Sequence, residues 1–247
     1  MRILNAHYRF ICDKLVNELT PNMQVDTKFT IVDVGCGDGK VLTFLEKKVC
    51  SFCIGIDINS DLMKKVHIAN RKLQMILASA EKLSLRNDSV DLLILTHVLE
   101  HVKNDQEALS EVVRVLKDKG LFWFCSPKPL WAVSPIHIPF LLINGRRVGH
   151  VRSGYSVSEI VLKLKRSGFE ILTYVDEPDL FQFLFYYYML EILKRFGFKL
   201  TDMTRFKVLT FALKLDKKLP KLPWLGSGYS IIARKNNYGV ELLNADK

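Results

Sequence analysis

A glycine-rich loop marks a place where the chain could bind a nucleotide. Its sequence runs Asp33-Val-Gly-Cys-Gly-Asp-Gly39, after a short apolar run and before an amphipathic stretch. Glycines let the backbone turn sharply and let a ligand approach without a Cβ in the way, and the N-terminus of a following helix attracts anionic groups. Asp57 lies 18 residues after Gly39, close to the interval of about 20 residues at which an acid binds ribose hydroxyls. These residues predict a nucleotide site and leave two cofactors open, a nicotinamide dinucleotide and S-adenosylmethionine.

A second group of residues could do acid–base or metal chemistry. His97, Glu100 and His101 form the pattern H-x-x-E-H, which also occurs in inverted zinc proteases. Because the pattern follows a predicted parallel strand, its context disfavours a protease. Two histidines four residues apart can share a metal ion, and with His150 the group would suit zinc-like ions better than magnesium. The sequence assigns no metal site and leaves open whether these four residues bind a divalent metal; the alternative is that His97 lines a cofactor pocket while Glu100 and His101 fix the loop.

Alternating strands and helices would position these residues. Seven apolar or β-branched runs predict strands over 31–34, 52–57, 74–77, 90–96, 121–125, 169–174 and 229–233. Amphipathic stretches predict helices over 40–48 and 61–71, a helix capped by Asn104 or Asp105 and ended by Gly120, and a helix opened by Ser156 and ended by Gly168. This order predicts an α/β, Rossmann-like, doubly wound fold with a mostly parallel seven-stranded sheet and helices on both faces. Ligands of such sheets bind beyond the carboxyl ends of the strands, where the strand order reverses.

Four segments of the chain carry a family resemblance. They are, in order, VDVGCGDG, GIDIN, ASAEKLSLRNDSVDLLILTHVLEHV and RVLKDKGLFWFCSP, within roughly Phe29 to Phe169. They resemble the motifs of class I S-adenosylmethionine-dependent methyltransferases of the small-molecule or lipid type (type 11-like), which implies methyl transfer from S-adenosylmethionine. The nicotinamide-dependent oxidoreductase is the alternative enzyme, and Lys40 weighs against it because a dinucleotide loop has its third glycine there. A cofactor-binding regulator without acceptor chemistry is the non-enzyme alternative.

The resemblance implies roles for individual residues. Ten of them would bind the cofactor: Asp33, Gly35, Cys36, Gly37, Asp57, Ile58, Ala80, Glu81, Thr96 and His97. Asp33 would position backbone or the methionine amino group, Asp57 would hold the ribose, and Ile58 would pack on the adenine. Ser79 departs from the pattern, because the family often has an acid before the alanine of the adenine-binding turn. Adenine recognition would then depend on the Ala80 backbone.

The acceptor side is predicted from position. Methyl transfer from a sulfonium is an in-line displacement that requires an aligned acceptor and sometimes the removal of its proton. His101 and His150 are the predicted catalytic residues, and Arg152 and Tyr155 would orient the acceptor.

Two apolar insertions would cover that side. We expect one methyltransferase domain over 1–247, with the cofactor-binding half at 29–126 and insertions at 127–155 and 178–223 that form a helical cap. The run Leu180–Leu193 is dense in aromatic residues but too short and too polar at its ends to span a membrane. It would be a lid over a lipid-like acceptor, an interfacial helix, or a core helix under the sheet.

Charge and cysteine usage bear on location. The net charge is +10, and nine basic against two acidic residues lie between Lys194 and Lys221. Such a segment suits an anionic membrane surface or, less well, nucleic acid; a solvated basic face is the alternative. The first 19 residues lack the apolar core of a secretory signal, and five scattered cysteines indicate reduced thiols. We expect a cytoplasmic protein with peripheral contact at the inner membrane face.

Overall fold

One sheet organises the molecule. The computed structural model describes residues 29–49, 52–64, 66, 73–133, 138, 142, 149–178, 193, 195–197, 211, 215 and 226–236. Its strands are β1 (Thr30–Val34), β2 (Phe52–Asp57), β3 (Leu73–Leu77), β4 (Val90–Thr96), β5 (Leu116–Pro127), β6 (Phe169–Pro178) and β7 (Gly226–Lys235). They lie in the order β3-β2-β1-β4-β5-β7-β6. The first five in this order pair in parallel, and β7 runs antiparallel to both β5 and β6. The predicted mostly parallel seven-stranded sheet is confirmed.

Four described helices and two short 3-10 turns connect the strands. The helices are α1 (Lys40–Val49), α2 (Ser60–Met63), α3 (Asp105–Val115) and α4 (Val157–Arg166), and the turns are Leu99–His101 and Leu130–Ala132. Polar residues cap three of the helices at their N-termini: Asn59, Asn104 and Ser156 accept hydrogen bonds from backbone N–H groups of the first turns. Each cap satisfies a donor that the helix itself leaves unpaired.

The central strands are apolar on both sides because helices cover both faces. Along β1, Val32 and Val34 belong to one buried cluster, which also contains apolar residues of α3 and α4. Ile31 belongs to the other cluster, together with Leu42 and Leu45 of α1. Alternate side chains of a strand point to opposite faces. The sheet is therefore packed between two helical layers, and the doubly wound, Rossmann-like architecture is confirmed.

Two element boundaries differ from expectation. The helix predicted to end at Gly120 ends at Val115, because Leu116 is already extended and pairs with Val90 of β4. The helical apolar pattern reaches Leu116, so periodicity alone misplaces this end. The helix predicted over 61–71 is described only as Ser60–Met63, and most of its remainder lies outside the described residues.

The predicted cap falls mostly outside the described residues. Of the insertions 127–155 and 178–223, the structure describes 127–133, 138, 142, 149–155, 178, 193, 195–197, 211 and 215. The helical cap and the role of the aromatic run stay predictions. In the described part of the chain, no helix has the length and apolar character needed to cross a membrane.

Candidate active site

The glycine loop follows β1, the strand at which the order of the sheet reverses. From β1, the chain adds β2 and β3 on one side and β4 and β5 on the other. Backbone N–H groups of Gly35 and Cys36 donate to the carbonyl of Ile56 at 2.7 and 3.1 Å, which ties the loop to β2. Gly35 and Gly37 have left-handed backbones, with φ of 73° and 53°. A Cβ on Gly35 would lie 2.2 Å from Val98 Cγ2, whereas no atom of the described residues lies within 4 Å of a Cβ on Gly37. The loop is thus packed against the segment after β4 on one side and open beside Gly37.

Asp57 holds the open side of this loop. Its Oδ2 accepts a hydrogen bond from Gly37 N at 2.8 Å, and its Oδ1 accepts one from Asn59 N at 2.8 Å. The side chain is buried, yet each carboxylate oxygen has a further lone pair for a ligand hydroxyl. The next residue, Ile58, is 77% exposed. An acid fixed by backbone donors beside an exposed apolar side chain fits a ribose and the ring attached to it.

Asp33 carries the most perturbed carboxyl group of the site. It is buried at the end of β1, and its Oδ1 has no hydrogen-bond partner among the described residues. Burial, and then the nearby charge of Asp57, raise the pKa of Asp33 to about 8. A buried acid without a partner is costly, and a cationic ligand group would relieve that cost. Asp33 is therefore suited to the ammonium group of an amino-acid-like ligand.

The predicted adenine turn is tied to the fold through its polar groups. Ala80 is buried. Ser79 Oγ accepts a hydrogen bond from Glu81 N at 3.2 Å, and Glu81 Oε1 accepts one from Asn104 N at 2.9 Å. The carboxylate of Glu81 thus joins the turn to the cap of α3. Sequence reasoning missed this link, since nothing in the spacing of the two residues indicates it.

The segment after β4 carries the histidines and the buried acid. Thr96 ends β4, and His97 has a left-handed backbone (φ 54°), which is uncommon outside glycine. The side chain of Glu100 is buried, and neither of its carboxylate oxygens has a hydrogen-bond partner in the described chain. His97 Nδ1 lies 3.4 Å from Glu100 Oε1, at ion-pair distance but without hydrogen-bond geometry.

His101 and His150 meet beside Glu100. Their ring centroids are 4.5 Å apart in an edge-to-face arrangement. Burial, and then the neighbouring His101, lower the pKa of His150. The structure therefore brings together the two histidines predicted to be catalytic. They are far apart in the sequence, since Gly149, the neighbour of His150, lies 48 positions after His101.

Backbone hydrogen bonds fix the segment that carries His150. The N–H groups of Val151 and Arg152 both donate to the carbonyl of Glu100, at 2.9 and 3.2 Å. Arg152 also pairs with Asp105 at 3.0 Å. The hydroxyl of the buried Tyr155 donates to Asp105 Oδ2 at 2.8 Å and contacts Arg152. We call this group (Asp105, Arg152 and Tyr155) the clamp. The structure places Arg152 and Tyr155 in the clamp, where they hold the segment that carries His150; their role in orienting an acceptor stays a prediction.

The chain is similar in sequence to known methyltransferases. A family model described as a methyltransferase domain matches residues 32–124. A ubiquinone/menaquinone biosynthesis C-methyltransferase of Campylobacter jejuni is 27% identical over 169 residues, which cover 58% of this chain and 72% of that protein. A thiol S-methyltransferase of Homo sapiens is 35% identical over 102 residues, 39% of this chain and 42% of that protein.

Solved structures agree on the fold. An S-adenosylmethionine-dependent methyltransferase from Mesorhizobium loti has a TM-score of 0.60 at 19% identity, covering 91% of this chain and 100% of that one. Together with the sheet order, the glycine loop and the acid that ends β2, these similarities identify the chain as a class I S-adenosylmethionine-dependent methyltransferase. S-adenosylmethionine is its cofactor, in place of the nicotinamide dinucleotide that the loop alone left open.

Proposed function

We propose that this enzyme methylates a small, lipid-like acceptor and that His101 and His150 are the catalytic residues that promote loss of the acceptor's proton. The position of this histidine pair supports the proposal most directly. The ring centroids are 4.5 Å apart, and His101 lies on the segment whose Val98 packs against Gly35 of the cofactor loop. Because the reacting atoms must come within about 3–3.5 Å, the acceptor has to lie close to where these two segments touch.

The cofactor would be held by the residues around the glycine loop. Asp33 offers the ammonium group a carboxyl oxygen that has no hydrogen-bond partner among the described residues, Asp57 offers free lone pairs to the ribose hydroxyls, and Ile58 offers an exposed apolar surface to the adenine. When bound, S-adenosylmethionine would supply a sulfonium methyl group: the acceptor atom bonds to the methyl carbon in line with the breaking carbon–sulfur bond, and S-adenosylhomocysteine leaves. The remaining members of the proposed cofactor site are Gly35, Cys36, Gly37, Ala80, Glu81, Thr96 and His97.

Exposed apolar side chains favour a lipid-like acceptor. Trp131, Phe196 and Phe211 are 79%, 76% and 57% exposed, and all three belong to the two insertions. Phe196 and Phe211 lie within the basic segment 194–221, and exposed aromatic residues among basic ones suit a membrane surface, where apolar burial and attraction to anionic lipids add together. Among the relatives, one is named for ubiquinone/menaquinone biosynthesis. We therefore propose that the enzyme reaches its acceptor by peripheral contact with the inner face of the membrane.

Product analysis tests this proposal. The purified chain would be incubated with isotope-labelled S-adenosylmethionine and either an organic-solvent extract or an aqueous extract of cells, and methylated products would be detected by mass spectrometry. We expect label in one or a few compounds of the organic extract. Label confined to water-soluble compounds or to RNA would contradict a lipid-like acceptor.

A sedimentation assay tests the membrane contact separately. The chain should bind vesicles that contain anionic lipids and should be released as salt is raised, because exposed charge pairs are screened. Equal binding to neutral vesicles, or none to either, would contradict contact through the basic segment.

A further inference from the structure

We propose that Glu100, His101 and His150 bind a divalent transition-metal ion of the zinc type. One ligand atom from each residue, a carboxylate oxygen and two ring nitrogens, lies within 4.8 Å of the other two. Ligands of a tetrahedral ion at about 2.0–2.1 Å stand roughly 3.3 Å apart. Rotations of the three side chains that move these atoms by about 1 Å would therefore close the site.

Glu100 is the strongest indication that a cation belongs here. Its side chain is 0% exposed, and both carboxylate oxygens are buried with no hydrogen-bond partner in the described part of the chain. Removing a carboxylate from water without a partner costs several kcal/mol, so proteins pair such groups or use them to coordinate metals. His97 Nδ1 at 3.4 Å would neutralise Glu100 only as a protonated ring. A divalent ion between Glu100 and the two facing histidines would satisfy the acid directly.

His101 is oriented as a metal ligand. Its Nδ1 lies 3.4 Å from the carbonyl oxygen of Gly149. A carbonyl only accepts hydrogen bonds, so this contact assigns the ring proton to Nδ1 and leaves the lone pair on Nε2. Metal-binding histidines are typically held in this way, with the second ring nitrogen donating to a carbonyl or carboxylate. The ring of His150 meets His101 edge to face, so the two imidazoles converge rather than stack.

Hydrogen bonds and an ion pair of the protein hold the two halves of the proposed metal site in place without an ion. Glu100 and His101 lie in the short turn Leu99–His101, while His150 belongs to the segment that donates two backbone hydrogen bonds to the carbonyl of Glu100. The clamp residues Asp105 and Arg152 pair at 3.0 Å and fix that segment against α3. A ligand set held by its surroundings loses little conformational entropy on binding an ion.

The types of ligand atom indicate which ion would bind and what role it would have in the reaction. Two imidazoles and one carboxylate suit zinc and its neighbours better than magnesium, which prefers oxygen ligands and retains several waters. Three protein ligands leave a fourth position open, as in catalytic zinc sites. We assign that position to the deprotonated atom of the acceptor, and this last assignment depends on the proposed function. The ion would lower the pKa of the acceptor group and so promote loss of its proton.

Direct binding tests the site without any acceptor. Purified full-length chain, stripped with a chelator, would be titrated with ZnCl2 and separately with MgCl2, and the bound metal would be counted after dialysis. The variants are Glu100→Gln, His101→Gln and His150→Gln, and the matched control is Glu170→Gln, an exposed acid on β6. We expect one zinc bound per chain, no comparable magnesium binding, and at least about 100-fold weaker zinc binding in the three variants. Absence of one-to-one zinc binding, or binding that survives in all three variants, would overturn the proposal.

Thermal unfolding distinguishes the loss of a metal ligand from the loss of the folded structure. Without metal, Glu100→Gln should unfold at a higher temperature than the unsubstituted chain, because an uncompensated buried charge becomes a neutral amide. With excess zinc, the unsubstituted chain and Glu170→Gln should gain stability, and Glu100→Gln should not. If Glu100→Gln lowers the unfolding temperature of the metal-free chain and zinc stabilises it as before, Glu100 is structural and the metal site is wrong.

The two proposals fail in different ways. Zinc binding that is lost in the variants, with no methylated product from any extract, would support the site and contradict the acceptor proposal. Methylation that resists chelators but is lost in His101→Gln and His150→Gln would support the catalytic histidines and contradict the ion.

Discussion

Asp57 and Glu100 are both buried carboxylates near the carboxyl edge of one sheet, but the fold satisfies only one of them. Asp57 accepts backbone hydrogen bonds on both oxygens at 2.8 Å, whereas neither oxygen of Glu100 has a hydrogen-bond partner among the described residues. The first arrangement holds an acid ready for neutral hydroxyl groups. The second leaves a charge for a cationic partner. Asp57 is thus satisfied by the chain itself, whereas Glu100 would be satisfied only by a bound cation.

The contact that joins the two sides should be the most sensitive to substitution. Gly35→Ala would place a Cβ 2.2 Å from Val98 Cγ2 at a backbone φ of 73°. Left-handed strain of about 1–2 kcal/mol and overpacking of about 1–3 kcal/mol should together lower the free energy of unfolding by about 2–5 kcal/mol. Chemical denaturation measures this loss. Gly37→Ala is the matched control, because its added Cβ meets no atom within 4 Å and only the strain remains; equal losses in both variants would show that the Val98 contact does not matter.

Removing the satisfied acid should abolish tight cofactor binding. Asp57→Ala deletes the acceptor of the Gly37 and Asn59 N–H groups and, in the proposed site, the acceptor of the ribose hydroxyls. Hydrogen bonds to charged groups contribute about 1.5–3 kcal/mol each, so affinity for S-adenosylhomocysteine should fall about 100-fold, measured by calorimetric titration. Asp61→Ala, at an exposed acid one turn away, should bind like the unsubstituted chain. A loss of less than threefold in Asp57→Ala would remove Asp57 from the cofactor site.

Asp33, the buried acid on the cofactor side, should make cofactor binding depend on pH. Because the pKa of Asp33 is raised to about 8, the free protein holds this proton at pH 6, and a bound ammonium group favours its release. Affinity for S-adenosylhomocysteine should therefore rise by up to about 20-fold from pH 6 to pH 7.5, with proton release detectable by calorimetry in buffers of different ionisation enthalpy. Asp33→Asn should bind weakly at both values. A flat profile in the unsubstituted chain would contradict a cation partner for Asp33.

The same shift predicts how the stability of the free protein varies with pH. A raised pKa means that the folded state holds a proton that the unfolded state releases above about pH 4. The free energy of unfolding should therefore fall as pH rises from about 4 to 8, and Asp33→Asn should reduce this slope. Denaturation at several pH values measures it, and an unchanged slope in the variant would assign the pH dependence to other groups.

Loosening the clamp should have the smallest effect and should fall on the acceptor side. Tyr155→Phe removes the hydroxyl that donates to Asp105 Oδ2 at 2.8 Å, while Arg152 and Lys163 still pair with that carboxylate. We expect a several-fold lower methylation rate with unchanged affinity for S-adenosylhomocysteine. Tyr174→Phe, which loses an exposed hydroxyl bonded to Asp176, is the control. Equal rates in the two variants would show that the clamp does not position the catalytic segment.

The features that could be predicted from the sequence are those whose residues lie close together along the chain. The glycine loop and Asp57 belong to one strand–helix–strand unit, so their spacing predicts both their fold and a nucleotide ligand, while the choice of S-adenosylmethionine came from the family resemblance. The alternation of elements also predicts the sheet. The end of α3 was misplaced because the apolar pattern is the same for a helix and for the start of β5. Nothing local indicates that Val151 and Arg152 donate to the carbonyl of Glu100, or that the Glu100 side chain is buried with no hydrogen-bond partner among the residues that the structure describes.

Calorimetric titration of the purified chain with S-adenosylhomocysteine, and separately with NADH, tests whether the glycine loop binds S-adenosylmethionine. We expect one site per chain for S-adenosylhomocysteine and no detectable binding of NADH, because Lys40 occupies the place of the third glycine of a dinucleotide loop. Binding of NADH without S-adenosylhomocysteine would contradict the assignment of the glycine loop and of every role built on it.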